Sequence, residues 1–284
     1  MRKLSFSKLQ ATGNDFILID ARGLEQDWAE LARAMCHRHF GIGADGLLLL
    51  LESEVADFRM RMFNPDGSEA EACGNGLRCF TRYVMDHSLT NTRELTVETM
   101  AGIRKAKSSG NLFQVDMGVP KFRPEEIPLS IGEVNIIPIL DYPLKIEGRE
   151  LLLTFVSMGN PHGVCFIKEP VAYFPLSELG PMIEHHSLFP QRLNFEVANV
   201  LSRKEIRARV WERGAGETLS CGSGACAMAI AAQLHNYADN QADIILPGGR
   251  LSVEWYGKGE VWLKGTAELV FSGNWLERNL PEDN

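Results

Sequence analysis

The sequence predicts an α+β protein of two homologous, strand-rich domains, with one helix that must be enclosed on every side. Short similar segments recur in the two halves of the chain at a nearly constant offset, which indicates a duplication. Most predicted elements are short strands, but one predicted helix is apolar on every side and therefore needs burial on every side.

The duplication rests on three pairs of similar segments that occur in the same order in both halves. The pairs are Gly13-Asn14 with Gly159-Asn160, Cys73-Gly74-Asn75-Gly76 with Cys221-Gly222-Ser223-Gly224, and Ala101-Gly102 with Gly248-Gly249. Their offsets of 146 to 148 residues agree with one another, as a duplication requires. We predict an N-terminal half at residues 1–133 carrying Cys73 and a C-terminal half at 134–284 carrying Cys221, with the boundary within 120–150.

Short apolar runs bounded by turn residues predict strands in both halves. The predicted strands cover residues 58–63, 95–99, 113–116, 134–140, 151–156, 206–211, 251–255 and 261–263. Strands therefore dominate each half.

The predicted helices differ in how much of their surface is apolar. Residues 27–38 and 176–185 each have one apolar side and should pack on the outside of a sheet. The segment 225–232 is apolar all round and should be enclosed. Its counterpart at 77–85 carries Arg78 and other polar side chains, so we expect it to be covered less completely.

Composition excludes several classes of function. With 29 Lys and Arg against 37 Asp and Glu, the formal net charge is −8 and no basic run stands out, which argues against nucleic-acid binding. The chain has no apolar stretch long enough for a membrane span and no signal-peptide pattern, so we expect a cytoplasmic protein. In that compartment the six cysteines are expected to be thiols.

Cys73 and Cys221 are candidate acid/base groups because each lies where a glycine-rich turn passes into a predicted helix. The positive end of a helix favours anions, so we expect it to lower the pKa of each thiol towards neutrality. The adjacent turns could hold a substrate carboxylate with their backbone N–H groups. Two thiols on opposite faces of one α-carbon would invert its configuration, one removing a proton and the other delivering one.

Other interpretations of the cysteines remain open. A metal site is disfavoured because the spacings of Cys73 to Cys79 and of Cys221 to Cys226 differ from the CxxC pairs of zinc sites. A redox function also lacks a CxxC motif. Cys73 and Cys221 could also be buried core fillers, although their duplicated context weakens that interpretation. Burial is the simplest interpretation of the remaining cysteines, which are Cys36, Cys79, Cys165 and Cys226.

Over nearly its whole length the chain resembles the diaminopimelate epimerase family. The motifs that carry the resemblance are Gly13-Asn14-Asp15-Phe16, Gly41-Ile42-Gly43-Ala44-Asp45-Gly46, Phe63-Asn64 with Asp66-Gly67-Ser68, Cys73-Gly74-Asn75-Gly76 with Arg78-Cys79, Met158-Gly159-Asn160-Pro161-His162, Asn194-Phe195, and Glu212-Arg213-Gly214-Ala215-Gly216-Glu217-Thr218 before Cys221-Gly222-Ser223-Gly224-Ala225-Cys226. The resemblance implies two similar domains related by a pseudo-twofold axis, each a strand-rich barrel or sheet wrapped around a central helix, with the site in a cleft between them. It also implies pyridoxal-independent conversion of L,L-diaminopimelate to the meso form, for lysine and cell-wall synthesis.

The resemblance also implies roles for individual residues. Cys73 and Cys221 would be the two acid/base thiols. The residues that would hold the reacting carboxylate are Gly74, Asn75, Gly222 and Ser223. Those that would read the distant end of the substrate are Asn64, Asn160, Asn194 and Arg213. Asn14 and Glu212 would contact the amines, and His162 with Glu212 would orient or tune the thiols. No metal or organic cofactor is implied, and family habit favours a homodimer.

Two departures from the family pattern bear on the substrate. Gly163 stands where many members have Cys, and Gly46 stands where some have a Gln near the substrate. A racemase of another amino acid, such as histidine, would share the thiols but would have no need of the carboxylate clamp at Arg213. Arg213 therefore favours diaminopimelate over this alternative.

Overall fold

The structure is a computed structural model that describes residues 3–71, 73–132 and 136–276. The α-helices are α1 (Trp28–Cys36), α2 (Gly74–Asp86), α3 (Leu176–Glu184) and α4 (Gly222–Leu234), and a short 3₁₀ helix spans Val171–Tyr173. Within these described ranges, every helix is too short or too polar to cross a membrane.

The strands are numbered in chain order. They are β1 (Lys3–Ala11), β2 (Asn14–Asp20), β3 (Gly46–Leu51), β4 (Phe58–Phe63), β5 (Glu69–Ala70), β6 (Glu94–Thr99), β7 (Gly102–Ser109), β8 (Leu112–Asp116), β9 (Tyr142–Ile146), β10 (Arg149–Ser157), β11 (Pro161–Phe166), β12 (Asn194–Ser202), β13 (Glu205–Glu212), β14 (Gly216–Thr218), β15 (Gln241–Leu246), β16 (Gly249–Glu254), β17 (Trp262–Thr266) and β18 (Glu268–Leu276).

The chain divides into two compact units. The first unit combines Met1–Val115 with Thr266–Asn284, and the second unit is Asp116–Gly265. The predicted boundary at 133/134 therefore lies inside the second unit, and the C-terminal strand belongs to the first. The reason is the antiparallel pairing of β18 with β1, which joins the two ends of the chain. Such a long-range pairing leaves no trace in the offsets of a sequence repeat.

The two units have the same strand topology, which supports the duplication. In the first unit, β1 pairs with β2, β2 runs parallel to β3, and β3 and β4 are antiparallel. β4 then pairs antiparallel with β5 and parallel with β6, and β7 and β8 follow as antiparallel neighbours. The second unit repeats each of these pairings from β10 to β17. At the outer edge, β9 pairs with β10 as β18 pairs with β1.

In the first unit, β3 is covered on both faces, which explains its run of leucines. Leu47 and Leu49 pack with Met35 of α1 in one core cluster. Leu48 points the other way, towards the first turn of α2: a Cβ added at Gly76 would lie 3.3 Å from its Cδ2 atom. α2 also contacts β1, β2, β7 and β18, so strands surround it.

The second unit repeats this arrangement around α4. Phe195 and Val197 of β12 pack with Leu176 and other residues of α3 in one core cluster. α4 lies on the other face and contacts β10, β11, β12, β15 and β16. Its residues from Gly224 to Ala232 are all buried, so the prediction of an enclosed apolar helix is confirmed.

Most predicted elements are confirmed with small shifts of their ends. The predicted strand 58–63 coincides with β4, and the predicted helices 27–38 and 176–185 correspond to α1 and α3. The predicted strand 134–140 is wrong for residues 136–140, which form no strand, while 134–135 lie outside the described residues. Arg78 was expected on a less completely covered helix, yet its side chain is fully buried.

Candidate active site

Cys73 and Cys221 occupy equivalent positions, each as the N-cap of a helix of 13 residues. The Sγ atom of Cys73 accepts a hydrogen bond from the Gly76 N–H at 3.1 Å. The Sγ atom of Cys221 accepts one from the Gly224 N–H at 3.4 Å. A side-chain acceptor at the N-cap satisfies one of the N–H groups that have no partner within the helix. The prediction that both thiols lie at the start of a helix is therefore confirmed.

The expected lowering of the thiol pKa is wrong for Cys221. Its side chain is buried, and burial raises the pKa of the thiol well above its ordinary value. The carboxyl group of Glu212 raises it further, while hydrogen bonds from Ser223 and the Gly224 N–H lower it by less. Because removal from water outweighs the helix N-terminus, Cys221 is a protonated thiol at neutral pH.

A series of hydrogen bonds connects Cys221 to other residues of the second unit. The Ser223 Oγ lies 3.4 Å from the Cys221 Sγ, and the Asn160 Nδ2 donates to that hydroxyl at 3.3 Å. The Asn160 Oδ1 lies 3.0 Å from the Nε2 of His162. Four residues that the sequence predicted for the site are thus brought together in one network.

Glu196 completes this network and was missed by sequence reasoning. Its Oε1 lies 2.6 Å from the Nδ1 of His162, and both side chains are fully buried. Burial raises the pKa of the Glu196 carboxyl group, and the opposing effect of His162 is smaller. The signal in the sequence was a glutamate between Phe195 and Val197 within an apolar strand. A carboxyl group at such a position needs a buried partner.

The turn after β13 is held by two buried polar side chains. The Asn194 Oδ1 accepts from the Arg213 N–H at 3.0 Å, and its Nδ2 donates to the Pro161 carbonyl at 2.8 Å. Glu184 accepts from the Gly214 N–H at 2.9 Å and from the Nε1 of Trp211 at 2.8 Å. Asn194 therefore ties the start of β11 to the loop that carries Arg213.

The two charged residues of this turn are more accessible than Asn194. Arg213 is exposed and donates one hydrogen bond to the Gln191 carbonyl at 3.0 Å. Glu212 is half-buried at the end of β13 and accepts a short hydrogen bond from the Thr218 hydroxyl. Glu212 is close enough to Cys221 to raise the pKa of its thiol.

In the first unit the corresponding hydrogen bonds are donated in the direction away from the start of α2. The Nη2 of the buried Arg78 donates to the Asn75 Oδ1 at 2.8 Å. The Asn75 Nδ2 donates to the Asn14 Oδ1 at 3.1 Å, and the Asn14 Nδ2 donates to Asp45 at 2.7 Å. The contact between Asn14 and Asn75 is equivalent to that between Asn160 and Ser223, as the repeat offsets require.

A second cluster of charges supports the same part of the first unit. Asp15 forms ion pairs with Lys8 at 2.5 Å and with Arg38 at 2.9 Å. Burial raises the pKa of Asp15, but hydrogen bonds with Arg38, Lys8 and Asp45 outweigh it and bring the pKa down to about 2. Asp45 also accepts from Arg38 at 2.6 Å. Asp45, which accepts from Asn14 and so orients it, is therefore itself held in place by Arg38.

Asn64 lies in the turn between β4 and β5. Its N–H donates to the Ser68 carbonyl at 2.8 Å, and its Nδ2 donates to the Ser68 hydroxyl at 3.0 Å. These contacts are those of a turn-forming residue. The implied contact with the substrate stays a prediction.

The other cysteines are buried and free of disulfides. Burial raises the pKa of Cys36 to about 12 and that of Cys165 to about 11. Within the described parts of the chain, no three His, Cys, Asp or Glu side chains are grouped so that they could hold a metal ion. A Cβ atom at Gly163 would approach the Leu193 Cδ2 atom to 2.7 Å, so the cysteine that the resemblance leads us to expect here would require Leu193 to shift.

Comparisons with known proteins agree on one family. A family model described as diaminopimelate epimerase matches residues 6–123 and 154–270. A diaminopimelate epimerase of Moorella thermoacetica is 48% identical over 279 residues, which is 95% of this chain and 99% of the relative. One of Halothermothrix orenii is 46% identical over 95% of this chain and 97% of the relative.

Solved structures share the fold at lower identity. A phenazine biosynthesis protein of the PhzF family from Bacillus anthracis has a TM-score of 0.68 at 21% identity, covering 98% of this chain and 100% of that one. A hydroxyproline epimerase from Agrobacterium vitis has a TM-score of 0.68 at 14% identity, covering 97% and 91%. Taken with the close relatives and the family match, the chain belongs to the diaminopimelate epimerase family.

Proposed function

We propose that the protein is an isomerase that interconverts L,L- and meso-diaminopimelate by proton transfer at the α-carbon, in lysine and cell-wall precursor synthesis. The observation that carries the proposal is the pair of cysteines that cap equivalent helices in the two units. Relatives that cover nearly the whole chain at 43–48% identity are diaminopimelate epimerases, which supports this substrate.

The two thiols have different starting states in this proposal. Because Cys221 is a buried, protonated thiol, it delivers its proton to one face of the α-carbon. Cys73, which is less buried, is proposed to act as the thiolate that removes the proton from the opposite face. After one turnover Cys73 carries a proton and Cys221 is a thiolate. The reverse reaction or exchange with solvent then restores the starting state.

The backbone at the start of each helix is proposed to bind the reacting carboxylate. The N–H groups of Gly74 and Asn75, and those of Gly222 and Ser223, lie in the first turns of α2 and α4. N–H groups there carry partial positive charge and favour anions. A carboxylate held in this way can accept the charge that develops when the α-proton leaves.

The distal carboxylate is proposed to bind Arg213. Its guanidinium is exposed and can form two parallel hydrogen bonds to a carboxylate. Asn194 holds the backbone of this arginine in place. Asn14, Asn64, Asn160 and Glu212 are proposed to supply further polar contacts to the substrate.

Deuterium incorporation tests this function directly. Wild-type protein incubated with L,L-diaminopimelate in heavy water should place deuterium on the α-carbon and produce the meso isomer. Cys73→Ala and Cys221→Ala should each abolish turnover while leaving the circular dichroism spectrum unchanged. Cys79→Ala is the matched control because Cys79 is a buried cysteine further along α2, and this variant should keep turnover. Full activity in either N-cap variant would overturn the two-thiol mechanism.

A substrate panel separates this function from the racemase alternative. Diaminopimelate isomers should be turned over, whereas histidine, glutamate and proline, which lack the distal amino-acid group, should not. Arg213→Lys should raise KM for diaminopimelate more than it lowers kcat, because lysine cannot form the paired hydrogen bonds. Equal turnover of histidine would favour the alternative.

We also propose that the protein is a cytoplasmic homodimer. Its six cysteines form no disulfide with one another, which suits a reducing compartment. β18 exposes several apolar side chains, which is typical of surfaces that pair with another chain. These are Leu269, Val270, Phe271 and Leu276. Light scattering after size-exclusion chromatography should give twice the mass of one chain, and a monomer would contradict this part of the proposal.

A further inference from the structure

Glu196 is a buried acid at a place where the fold does not need one. The register sets His162 of β11 opposite Asn194 of β12, and the equivalent pair in the first unit is Phe16 of β2 opposite Gly46 of β3. Glu196 lies two residues after Asn194 in β12, and Leu48 lies two residues after Gly46 in β3. Phe16 and Leu48 therefore occupy in the first unit the positions that His162 and Glu196 occupy in the second.

The two units also agree on what these side chains touch. A Cβ at Gly76 would lie 3.3 Å from the Leu48 Cδ2, and one at Gly224 would lie 2.8 Å from the Glu196 Oε1. Gly76 and Gly224 are the residues whose N–H groups bind the two cysteine sulfurs. An apolar pair is therefore sufficient for packing beneath this helical turn. The polar pair in the second unit calls for another reason, since burying such groups is unfavourable.

The hydrogen atoms of the pair can be assigned from its neighbours. The Asn160 Nδ2 donates to Ser223, so its Oδ1 faces the His162 Nε2 at 3.0 Å and can only accept. The Nε2 of His162 therefore carries a hydrogen. The 2.6 Å contact between the Nδ1 and the Glu196 Oε1 must also contain one hydrogen, because two lone pairs would repel at this distance.

Counting hydrogens makes the pair neutral overall. It is either a carboxylic acid beside a neutral imidazole or a carboxylate beside an imidazolium. The Glu196 Oε2 is buried and has no hydrogen-bond partner among the described residues. A neutral carboxylic acid tolerates such a position far better than a carboxylate does. The other titratable groups that act on Glu196 or share its surroundings are Glu212 on β13 and Cys221 at the start of α4.

We propose that Glu196 is a positioning residue that keeps a hydrogen on the His162 Nε2 and so directs the chain through Asn160 and Ser223 to donate to the Cys221 sulfur. Since Asn160 donates to the Ser223 Oγ, the Ser223 hydroxyl hydrogen is available to Cys221 whenever that residue is a thiolate. The assignment rests on the proposed function, in which Cys221 becomes a thiolate after each proton delivery.

The competing interpretation is a free carboxylate that simply repels a negative sulfur, and it predicts the opposite sign. If Glu196 directs the hydrogen bonds, its removal lets the Asn160 amide rotate so that its Oδ1 accepts from the Ser223 hydroxyl. The Cys221 thiolate then loses a donor, and the pKa of Cys221 rises. If Glu196 is instead an ionised carboxylate that repels the thiolate, its removal lowers the pKa of Cys221. Glu196→Gln can still donate to the Nδ1, so it should leave the pKa unchanged in the first case and lower it in the second.

Site-resolved alkylation measures this sign without any substrate. The rate of iodoacetamide modification at the Cys221 peptide is followed against pH by mass spectrometry in the full-length protein. In the double variant Glu196→Leu with His162→Phe, the midpoint should rise by about half a pH unit to one unit, the effect of one lost hydrogen bond. This variant copies the packing of the first unit and should therefore fold. Glu196→Gln should keep the wild-type midpoint.

Glu184→Gln is the matched control, because Glu184 is another buried glutamate of the second unit but bonds to Trp211 and Gly214. Its midpoint for Cys221 should stay at the wild-type value. A lower midpoint in both Glu196 variants, or no change in either, would overturn the assignment.

The hydrogen on His162 can be observed directly. In ¹⁵N-histidine-labelled protein, with the His162→Phe spectrum used for assignment, the Nε2 of His162 should stay protonated through the neutral range. A tautomer with the hydrogen on the Nδ1 alone would overturn the assignment. Neither experiment needs turnover. An inactive protein with the expected midpoints would count against the proposed function alone, and an active protein without them would count against Glu196 alone.

Discussion

We expect Gly224→Ala in the second unit to lower the free energy of unfolding more than the equivalent Gly76→Ala in the first unit. A Cβ at Gly224 would lie 2.8 Å from the Glu196 Oε1, 3.3 Å from the Cys221 Cβ and 3.4 Å from its Sγ. A glutamate oxygen on a flexible side chain could move away, but this one is fully buried and bonded to His162 at 2.6 Å. The added methyl group must therefore displace either the carboxyl group or the N-cap.

The expected loss follows from two opposing effects. Overpacking in a well-packed core destabilises by about 1–3 kcal/mol, whereas replacing a helical glycine by alanine stabilises by up to about 1 kcal/mol. We expect Gly224→Ala to lower the free energy of unfolding by about 1–2 kcal/mol on this basis. At Gly76 the nearest contacts would be 3.2 Å to the Cys73 Sγ and 3.3 Å to the Leu48 Cδ2. Small shifts relieve them, so the net change there should be close to zero.

Urea unfolding of the wild type and the two alanine variants, followed by circular dichroism, measures the difference. Both substitutions add one methyl group at the third position of an equivalent helix, so helix propensity cancels in the comparison. Equal stabilities, or a larger loss at Gly76, would show that the Glu196 side chain moves away from the added methyl group and is not held in a fixed position.

Three further predictions concern buried polar groups and thiols. Glu184→Ala should destabilise the protein by about 1–3 kcal/mol in urea unfolding, because the Trp211 N–H loses its acceptor; an unchanged midpoint would refute this. The pKa of Asp15 falls on folding from 3.8 to about 2, so its stabilising effect is complete above pH 4 and disappears as the pH falls to 2. Asp15→Asn should accordingly cost about 1–2 kcal/mol at pH 6, after allowance for solvent screening, and progressively less below pH 4 in acid-unfolding curves. Cys36 and Cys165 have thiol pKa values of about 12 and 11, so mass spectrometry should find both unmodified after iodoacetamide treatment of the folded protein at pH 8 and modified in urea.

Local patterns were sufficient to predict much of this fold. The uniformly apolar segment 225–232 had to be buried on every side, either inside a sheet or at the centre of a large domain, and α4 is surrounded by strands. The repeated Cys-Gly-x-Gly motifs predicted two equivalent helix starts, because glycine and an N-cap acceptor both mark such positions. These features depend on neighbours in the sequence, which is why they can be read from one chain.

Features that depend on distant partners could not be predicted in this way. The pairing of β18 with β1 joins residues more than 250 positions apart and moves the C-terminal strand into the first unit. The raised pKa of Cys221 depends on burial and on Glu212, which no local motif reveals. The helix N-terminus alone predicted the wrong direction, because its effect is smaller than that of removal from water.

The two units share one topology, but their hydrogen bonds run in opposite directions relative to the two thiols. In the first unit, hydrogen bonds are donated from Arg78 to Asn75, from Asn75 to Asn14 and from Asn14 to Asp45, so donation runs away from the start of α2. In the second unit they lead from His162 through Asn160 to Ser223, so donation runs towards the start of α4.

Asn14 and Asn160 thus make equivalent contacts, but Asn14 accepts the hydrogen bond whereas Asn160 donates it. The residues that set the polarity lie at the far ends of the two networks: Asp45 accepts at one, and Glu196 with His162 supplies a hydrogen at the other. A two-base inversion needs one thiol to start ionised and the other protonated. Burial of Cys221 favours its protonated state, whereas the network from His162 to Ser223 donates to the sulfur and opposes that effect. Replacing Glu196 by Leu together with His162 by Phe should therefore increase the difference between the thiols while leaving both helix starts intact.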